Sequence, residues 1–191
     1  MVNVALDVVT DGNIESCREL CNELMAYQQS KAKLLPEIFD QMNFDTRMKL
    51  SFEQAIASHV VVAKDENTVP VGYIFSTVES VSYKDSHIPE WASTISTGEI
   101  LGFYPKWDNP PAKTGCVNNL YLRKEYQRMG LGEKLMDMSM EWFRTIPDID
   151  IVFVYISNGN DAAMSFYKKY GFAHSHEVFG GFILALYKQL S

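Results

Sequence analysis

The chain has 191 residues, 47% hydrophobic and 13% aromatic, with a formal net charge of −7. That length suits one domain with a substantial core, and the apolar content excludes a disordered chain. The negative balance argues against general nucleic-acid binding and favours a small cationic partner, and no apolar run approaches the roughly 18 residues that a membrane span needs.

The start, Met1-Val2-Asn3-Val4, lacks a basic region followed by an apolar one, so no secretory leader is expected. Residues 3–9 are β-branched and alternate, which predicts a strand. Asp11 or Asn13 then caps a helix with Ile14, Cys17, Leu20, Cys21, Leu24 and Met25 on its apolar face. The three cysteines (Cys17, Cys21 and Cys116) are sparse and odd in number, which fits small buried hydrophobes in a reducing, cytoplasmic compartment. Pro36 interrupts the next stretch, and a second helix is expected from about Asp45 to Ser58. Val60–Ala63 reads as a strand, Asp65-Glu66-Asn67 as its turn, and Val71–Val81 as the returning strand.

Residues 83–113 carry Pro89, Pro105, Pro110 and Pro111 among Trp91, Phe103, Tyr104 and Trp107. A connection of this length is uncommon unless it is functional or forms local structure. A strand from Gly115 to Leu122 follows. It leads into a turn at Arg123–Gly130 and a helix with Leu131, Leu135, Met138, Trp142 and Phe143 on one side, ended by Pro147. Ile151–Ile156 is a near-continuous apolar strand, as a buried central position requires. Ala162–Tyr170 is a helix stopped by Gly171, and strands at Phe172–His176 and Phe182–Tyr187 close the chain. This order predicts an α+β or α/β sheet domain spanning 1–191.

The turn is the most telling local feature. Gly130 and Gly132 let backbone amides approach an anion with a helix dipole behind them, so a phosphate or pyrophosphate is the natural occupant. Arg123, Lys124, Arg128 and Lys134 lie within twelve residues of one another and suggest phosphate contacts.

Gln127-Arg128-Met129-Gly130-Leu131-Gly132 resembles the (Q/R)-x-x-G-x-(G/A) element of the GNAT superfamily of CoA-dependent N-acetyltransferases. Asn160-x-x-Ala163-x-x-Phe166-Tyr167-x-x-x-Gly171-Phe172 is similar to that family's second element, and Val71-Gly72-Tyr73 to the opening of its third strand. The likeness runs from Val2 to Leu190, except over 83–113, where the family's connection is usually shorter. The resemblance implies an α/β/α sandwich: a mixed sheet of about seven strands, flanked by about four helices and splayed between the fourth and fifth strands. It also implies acetyl-CoA as cosubstrate, with its pantetheine arm on Leu120, Tyr121 and Leu122. The pyrophosphate would sit on Gln127, Arg128, Met129, Gly130, Leu131 and Gly132, and Asn160 would be a further cofactor contact as well as a helix cap.

Acetyl transfer to an amine needs a neutral nucleophile, a stabilised oxyanion and a leaving thiolate. An ordinary lysine-like amine, with pKa ~10.4, is neutral in only about one molecule in a few thousand at pH 7. A backbone N–H near Leu120 or Tyr121 can serve the oxyanion. By the resemblance, Tyr167 is the acid that protonates the departing sulfur. Some family members carry a carboxylate or histidine on the fourth strand. Cys116 and Asn118 stand there instead, and neither is a good base. Glu79 or Glu99 acting through a water, or a water chain alone, are the alternatives. His174 and His176 share a strand face without a third ligand, and neither His59 nor His87 shows a partner, so no metal is expected.

The early helices and 83–113 are expected to set acceptor choice. Trp91, Phe103, Tyr104 and Trp107 with Asp85, Glu90, Glu99 and Asp108 would bind a small cationic amine by charge and cation–π contact, or form a lid or dimer contact instead. A protein N-terminus or lysine is the second enzymatic reading. A non-catalytic acyl-CoA sensor is the reading from another class, disfavoured because it does not need Tyr167. No nucleic acid or membrane is expected as partner, and a homodimer is left open.

Overall fold

Alternation in the strand sequences gives each strand an apolar face, and stacking those faces against helices is what assembles the molecule. The computed structural model describes residues 3–84 and 88–190. Its strands are β1 (Ala5–Val8), β2 (Ala57–Lys64), β3 (Pro70–Ser80), β4 (Lys113–Leu122), β5 (Ile151–Ser157), β6 (Ala173–Val178) and β7 (Ile183–Gln189). They form one seven-stranded sheet in the order β1-β2-β3-β4-β5-β7-β6. Every neighbouring pair is antiparallel except β4 with β5. The helices among the described residues are α1 (Arg18–Lys31), α2 (Leu50–Gln54), α3 (Val81–Lys84), α4 (Leu131–Thr145) and α5 (Asp161–Lys169). The mixed α+β sheet agrees with the expectation, with five helices instead of about four.

β3 shows how one strand serves two layers. Ile74 and Val78 face α4 and α5, together with Val117, Val154, Leu135, Met140 and Phe143. Tyr73 and Phe75 face the opposite layer, with Leu20 and Cys21 of α1 and with Phe44 and Met48. Each such buried large side chain contributes roughly 1.5–3 kcal/mol relative to exposure. Ser76 and Ser139 share a short hydroxyl–hydroxyl hydrogen bond that satisfies both inside the α4 layer.

The second helix differs from the expectation of Asp45–Ser58. Phe44–Lys49 is a π-helical turn, α2 ends at Gln54, and residues 57–58 already belong to β2. Pairing of Ala57 with Val78 and of Ser58 with Thr77 takes this stretch into the sheet, where tertiary pairing outweighs helix propensity. The helix after Asn13 also begins later, with a 3₁₀ turn at Glu15–Cys17 before α1, while Asp11 and Asn13 accept from the amides two residues on. On α4 the buried side comprises Leu131, Leu135, Met136, Ser139, Met140 and Phe143. The expected Met138 and Trp142 are only partly buried at its edge.

The β3–β4 connection is built into the molecule. Its 3₁₀ turn Glu90–Thr94 packs Trp91 on Phe179 and Phe182. Leu101 bridges Val178 at the end of β6. Phe103 lies on Tyr155 and Phe179, and the Tyr155 hydroxyl donates to the Phe103 carbonyl at 2.7 Å. Tyr104 and Trp107 meet Phe153 edge to face.

Candidate active site

β4 and β5 pair over only three positions, Gly115 with Val152, Cys116 with Phe153 and Val117 with Val154. On its other side β4 carries a bulge: Phe75 opposes Asn119 and Ser76 opposes Val117, which leaves Asn118 as the extra residue. A bulge bends its strand, and beyond Val117 the two strands separate. The edge of Leu120, Tyr121 and Leu122 that would face β5 therefore borders a split, as the resemblance implied.

At the end of β4 the chain makes the glycine turn. Arg128 and Gly130 both take left-handed conformations, with φ of 61° and 75°. Gly130 is the N-cap of α4 and no side chain caps the helix start, so the amides of Leu131 and Gly132 have no side-chain acceptor. Left-handed residues beside a bare helix N-terminus form a concave donor surface suited to a pyrophosphate. The Gln127 side-chain amide donates to the Leu122 carbonyl at 2.8 Å, tying the turn to β4. Met129 is exposed on the turn. Arg123 departs from the expectation of a phosphate contact. Its guanidinium turns to α1 and pairs with Glu23 at 2.7 Å and Glu19 at 3.3 Å. Asn160 caps α5, its side-chain oxygen accepting from the Ala163 amide at 3.2 Å.

Tyr167 lies beneath the split. Phe166 and Phe172 flank its ring at 5.3 and 5.7 Å, and burial, with the neighbouring Cys116 thiol, pushes its pKa well above the ordinary phenol value. The hydroxyl is therefore a permanent proton carrier near neutrality.

On the opposite face a polar chain crosses from β4 to β3. The Cys116 thiol donates to Asn118 Oδ1 at 3.6 Å, Asn118 Nδ2 donates to Thr77 Oγ1 at 2.6 Å, and Thr77 Oγ1 donates to Glu79 Oε1 at 2.8 Å. Glu79 is thus linked to the residues next to the split. Glu99 is elsewhere: it pairs with Lys106 and lines a cavity of about 960 Å³ beneath the 99–112 stretch, whose lining does not include Glu79. Of the aromatic side chains expected to meet an amine, Trp91 and Phe103 pack on Phe179, Phe182 and Tyr155, while Tyr104 and Trp107 pack on Phe153 and also line that cavity. Asp85 and His87 lie outside the described residues.

Residues not anticipated from the sequence complete the surroundings. Asn158 at the end of β5 accepts from the amides of Lys33 and Leu34 at 2.6 and 2.7 Å and donates to the Phe182 carbonyl at 3.0 Å. Phe39 meets Phe182 with ring centroids 5.2 Å apart. The α1–α2 connection is thereby closed against the β6–β7 turn. An Asn-Gly pair is a turn signal, but nothing in the sequence points to a partner more than a hundred residues away.

An acetyltransferase (GNAT) family model matches residues 20–172. Among solved structures, the chain is similar to the PaiA N-acetyltransferase from Thermoplasma acidophilum in complex with coenzyme A (14% identity, 98% of this chain and 99% of that one, TM-score 0.63). It is also similar to Naa50 of Arabidopsis thaliana in complex with the bisubstrate analogue CoA-Ac-MVNAL (15% identity, 98% and 99%, TM-score 0.59). A third likeness is to the NatC complex bound to Gag peptide and CoA (14% identity, 98% and 99%, TM-score 0.58). At these identities the structural likeness speaks for the fold. No curated protein matches the sequence. Because the family model spans well over half of its length, the chain belongs to the GNAT family of acetyltransferases.

Proposed function

We propose that the protein transfers an acetyl group from acetyl-CoA directly to a small primary amine. The observation that carries this reading is the alignment of three features along one strand: the bare helix start after β4, the split beyond Val117, and Tyr167 packed beneath that split beside Cys116. The thioester is the group that supplies the acyl carbon. The amides of Arg128 to Gly132 hold the pyrophosphate, the Leu120–Leu122 edge orients the arm, and a backbone N–H near Leu120 or Tyr121 donates to the acyl oxygen as charge develops there.

Tyr167 donates to the sulfur as the carbon–sulfur bond breaks. Its raised pKa keeps it a hydrogen-bond donor at every physiological pH. Cys116 donates its own proton to Asn118, which suits a neutral thiol and not a nucleophile, so direct transfer is favoured over an acyl-cysteine. Glu79 is the better substrate carboxylate, since Glu99 is tied to Lys106. It faces the incoming ammonium and accepts its proton through water. A small acceptor is favoured over a peptide because Phe39, Asn158 and Phe182 close the α1–α2 connection onto the β6–β7 turn. A reducing, cytoplasmic setting fits the three buried cysteines, none of which is in a disulfide among the described residues.

The test is CoA-thiol release from acetyl-CoA over a panel of polyamines, aminoglycosides, amino acids and short peptides, with wild type beside Tyr167→Phe. Turnover with small amines, reduced about 10²–10⁴-fold in kcat by the substitution, is expected. Turnover untouched by the substitution overturns the role of Tyr167. Turnover restricted to peptides overturns the small acceptor, and acetyl-CoA binding without turnover on any amine overturns the transferase reading.

A further inference from the structure

We infer that Thr77 is a positioning residue: its hydroxyl, oriented by Asn118, holds the Glu79 carboxylate where it meets the acceptor ammonium. This role rests on the acetyl transfer proposed above, with Glu79 as its substrate carboxylate, and names what fixes Glu79 there.

The arrangement starts at the strand irregularity. Val117 opposes Ser76 and Asn119 opposes Phe75, so Asn118 is the extra residue of β4. Bulges are over-represented next to active sites, where they re-aim a side chain. Val117 packs in the layer of α4 and α5, whereas Asn118 reaches Thr77. Thr77 is two residues from Phe75, and alternation puts both on the α1 side of β3. Asn118 is thus turned onto that side at the level where the pairing of β4 with β5 stops.

The bonds along this face run in one direction. The Cys116 thiol donates to Asn118 Oδ1 at 3.6 Å, and Asn118 Nδ2 donates to Thr77 Oγ1 at 2.6 Å. A threonine hydroxyl has a single proton. With Asn118 supplying the N–H, that proton goes to Glu79 Oε1 at 2.8 Å. A flipped Asn118 amide would set Oδ1 against Thr77 and draw the hydroxyl proton away from Glu79. The bulge residue therefore decides which way the hydroxyl points. Thr77 is fully buried, so water does not compete for its bonds.

The strand beside Glu79 is fixed as well. Glu79 pairs in register with Thr114, whose hydroxyl shares a 2.9 Å hydrogen bond with the buried Tyr104 of the β3–β4 connection. From the level of Thr114 to Val117, where β4 and β5 part, is about 10 Å at the usual strand rise. A glutamate that acts over such a distance through a water depends on its rotamer, and its side chain has much rotamer freedom to lose. The Thr77 hydroxyl removes that freedom before the amine arrives, which is how a supporting hydrogen bond preorganises a reacting group.

The test is a kinetic double-mutant cycle. Thr77→Val keeps the shape and removes the hydroxyl, Thr77→Ser keeps the hydroxyl, and each is made with and without Glu79→Ala. On the best amine of the panel, Thr77→Val should lower kcat/KM about 10- to 100-fold, the size of one hydrogen bond to a charged group, and leave the KM for acetyl-CoA unchanged. Thr77→Ser should restore most of the activity. In the Glu79→Ala background, Thr77→Val should change kcat/KM less than about twofold, because the hydroxyl then has nothing to hold. Losses that multiply in the double variant, or Thr77→Ser as impaired as Thr77→Val, assign Thr77 to the fold alone and overturn the inference. Should Thr77→Val not fold, Asn118→Ala, which removes the N–H that orients the hydroxyl, is carried through the same cycle with the same criterion. Turnover indifferent to Glu79→Ala overturns the positioning role and leaves acetyl transfer standing. Calorimetric titration of the amine in the presence of CoA separates the two readings. Amine binding weakened non-additively by Thr77→Val and Glu79→Ala, without turnover on any amine, supports the positioning role and overturns acetyl transfer alone. An amine panel neither bound nor turned over overturns both.

Discussion

The side chain of Asn158 holds the backbone of Leu34 from both sides, accepting from its amide at 2.7 Å and donating to its carbonyl at 3.2 Å. It reaches Lys33 and Phe182 as well, so one buried amide joins the end of β5, the exit of α1 and the β6–β7 turn. The next residue shares the constraint. Gly159 has φ of 78°, and a Cβ there would stand 2.0 Å from the Lys31 carbonyl oxygen.

Asn158→Ala should therefore destabilise the protein by about 2–3 kcal/mol, because it leaves two partly buried backbone donors without an acceptor. Urea denaturation monitored by far-UV circular dichroism measures this. A loss below about 0.5 kcal/mol would show that water replaces the amide and that the clamp is not what holds the connection.

Gly132 separates fold from cofactor. A Cβ at this position meets Phe166 only at 3.4 Å, close to ordinary contact. Alanine is also the better helix former, by up to about 1 kcal/mol. Gly132→Ala should leave the melting temperature of the free protein unchanged or slightly raised, while weakening acetyl-CoA by crowding the amides that approach the pyrophosphate. Calorimetric titration with acetyl-CoA decides it: undiminished affinity would mean that the cofactor does not lie against this helix start.

His59 gives a pH signature. Its ring stacks on Trp142 at 5.2 Å, and burial lowers its pKa from the ordinary 6.5. Below that value the unfolded chain takes up the proton more readily than the folded protein. Stability from this site is thus complete above pH 6.5 and declines as the pH falls toward the lower folded value. Unfolding free energies at about pH 7.5 and about pH 5.5 should differ less in His59→Phe than in wild type. An equal difference in both would assign the acid sensitivity to other groups.

Much of this was legible in the sequence where local chemistry decides. Gly130 announced its left-handed turn, Asn160 its capping role, and the apolar run Ile151–Ile156 its central strand. The failures have a common physical origin. Arg123 sits in a basic cluster that reads as a phosphate contact, yet α1 brings Glu23 within 2.7 Å of it. Trp91 and Trp107 could be read as amine-binding aromatics or as a lid or dimer contact, since a proline-rich connection carries no periodicity from which their packing can be judged. The helix expected to run to Ser58 ends at Gln54 because β3 competes for its last residues.

The order and kind of most elements and the glycine turn before α4 were legible in the sequence alone, since these depend on backbone conformations that Gly, Asn and alternating apolar residues impose within a few positions. It took the tertiary structure to show where β4 and β5 part, and that Tyr167 packs with Val117 and Val154 beside that parting. Those are relations between residues tens of positions apart, and no local preference encodes them. They follow from which faces must be buried together, and from the single bulge at Asn118 that bends β4 away from its neighbour.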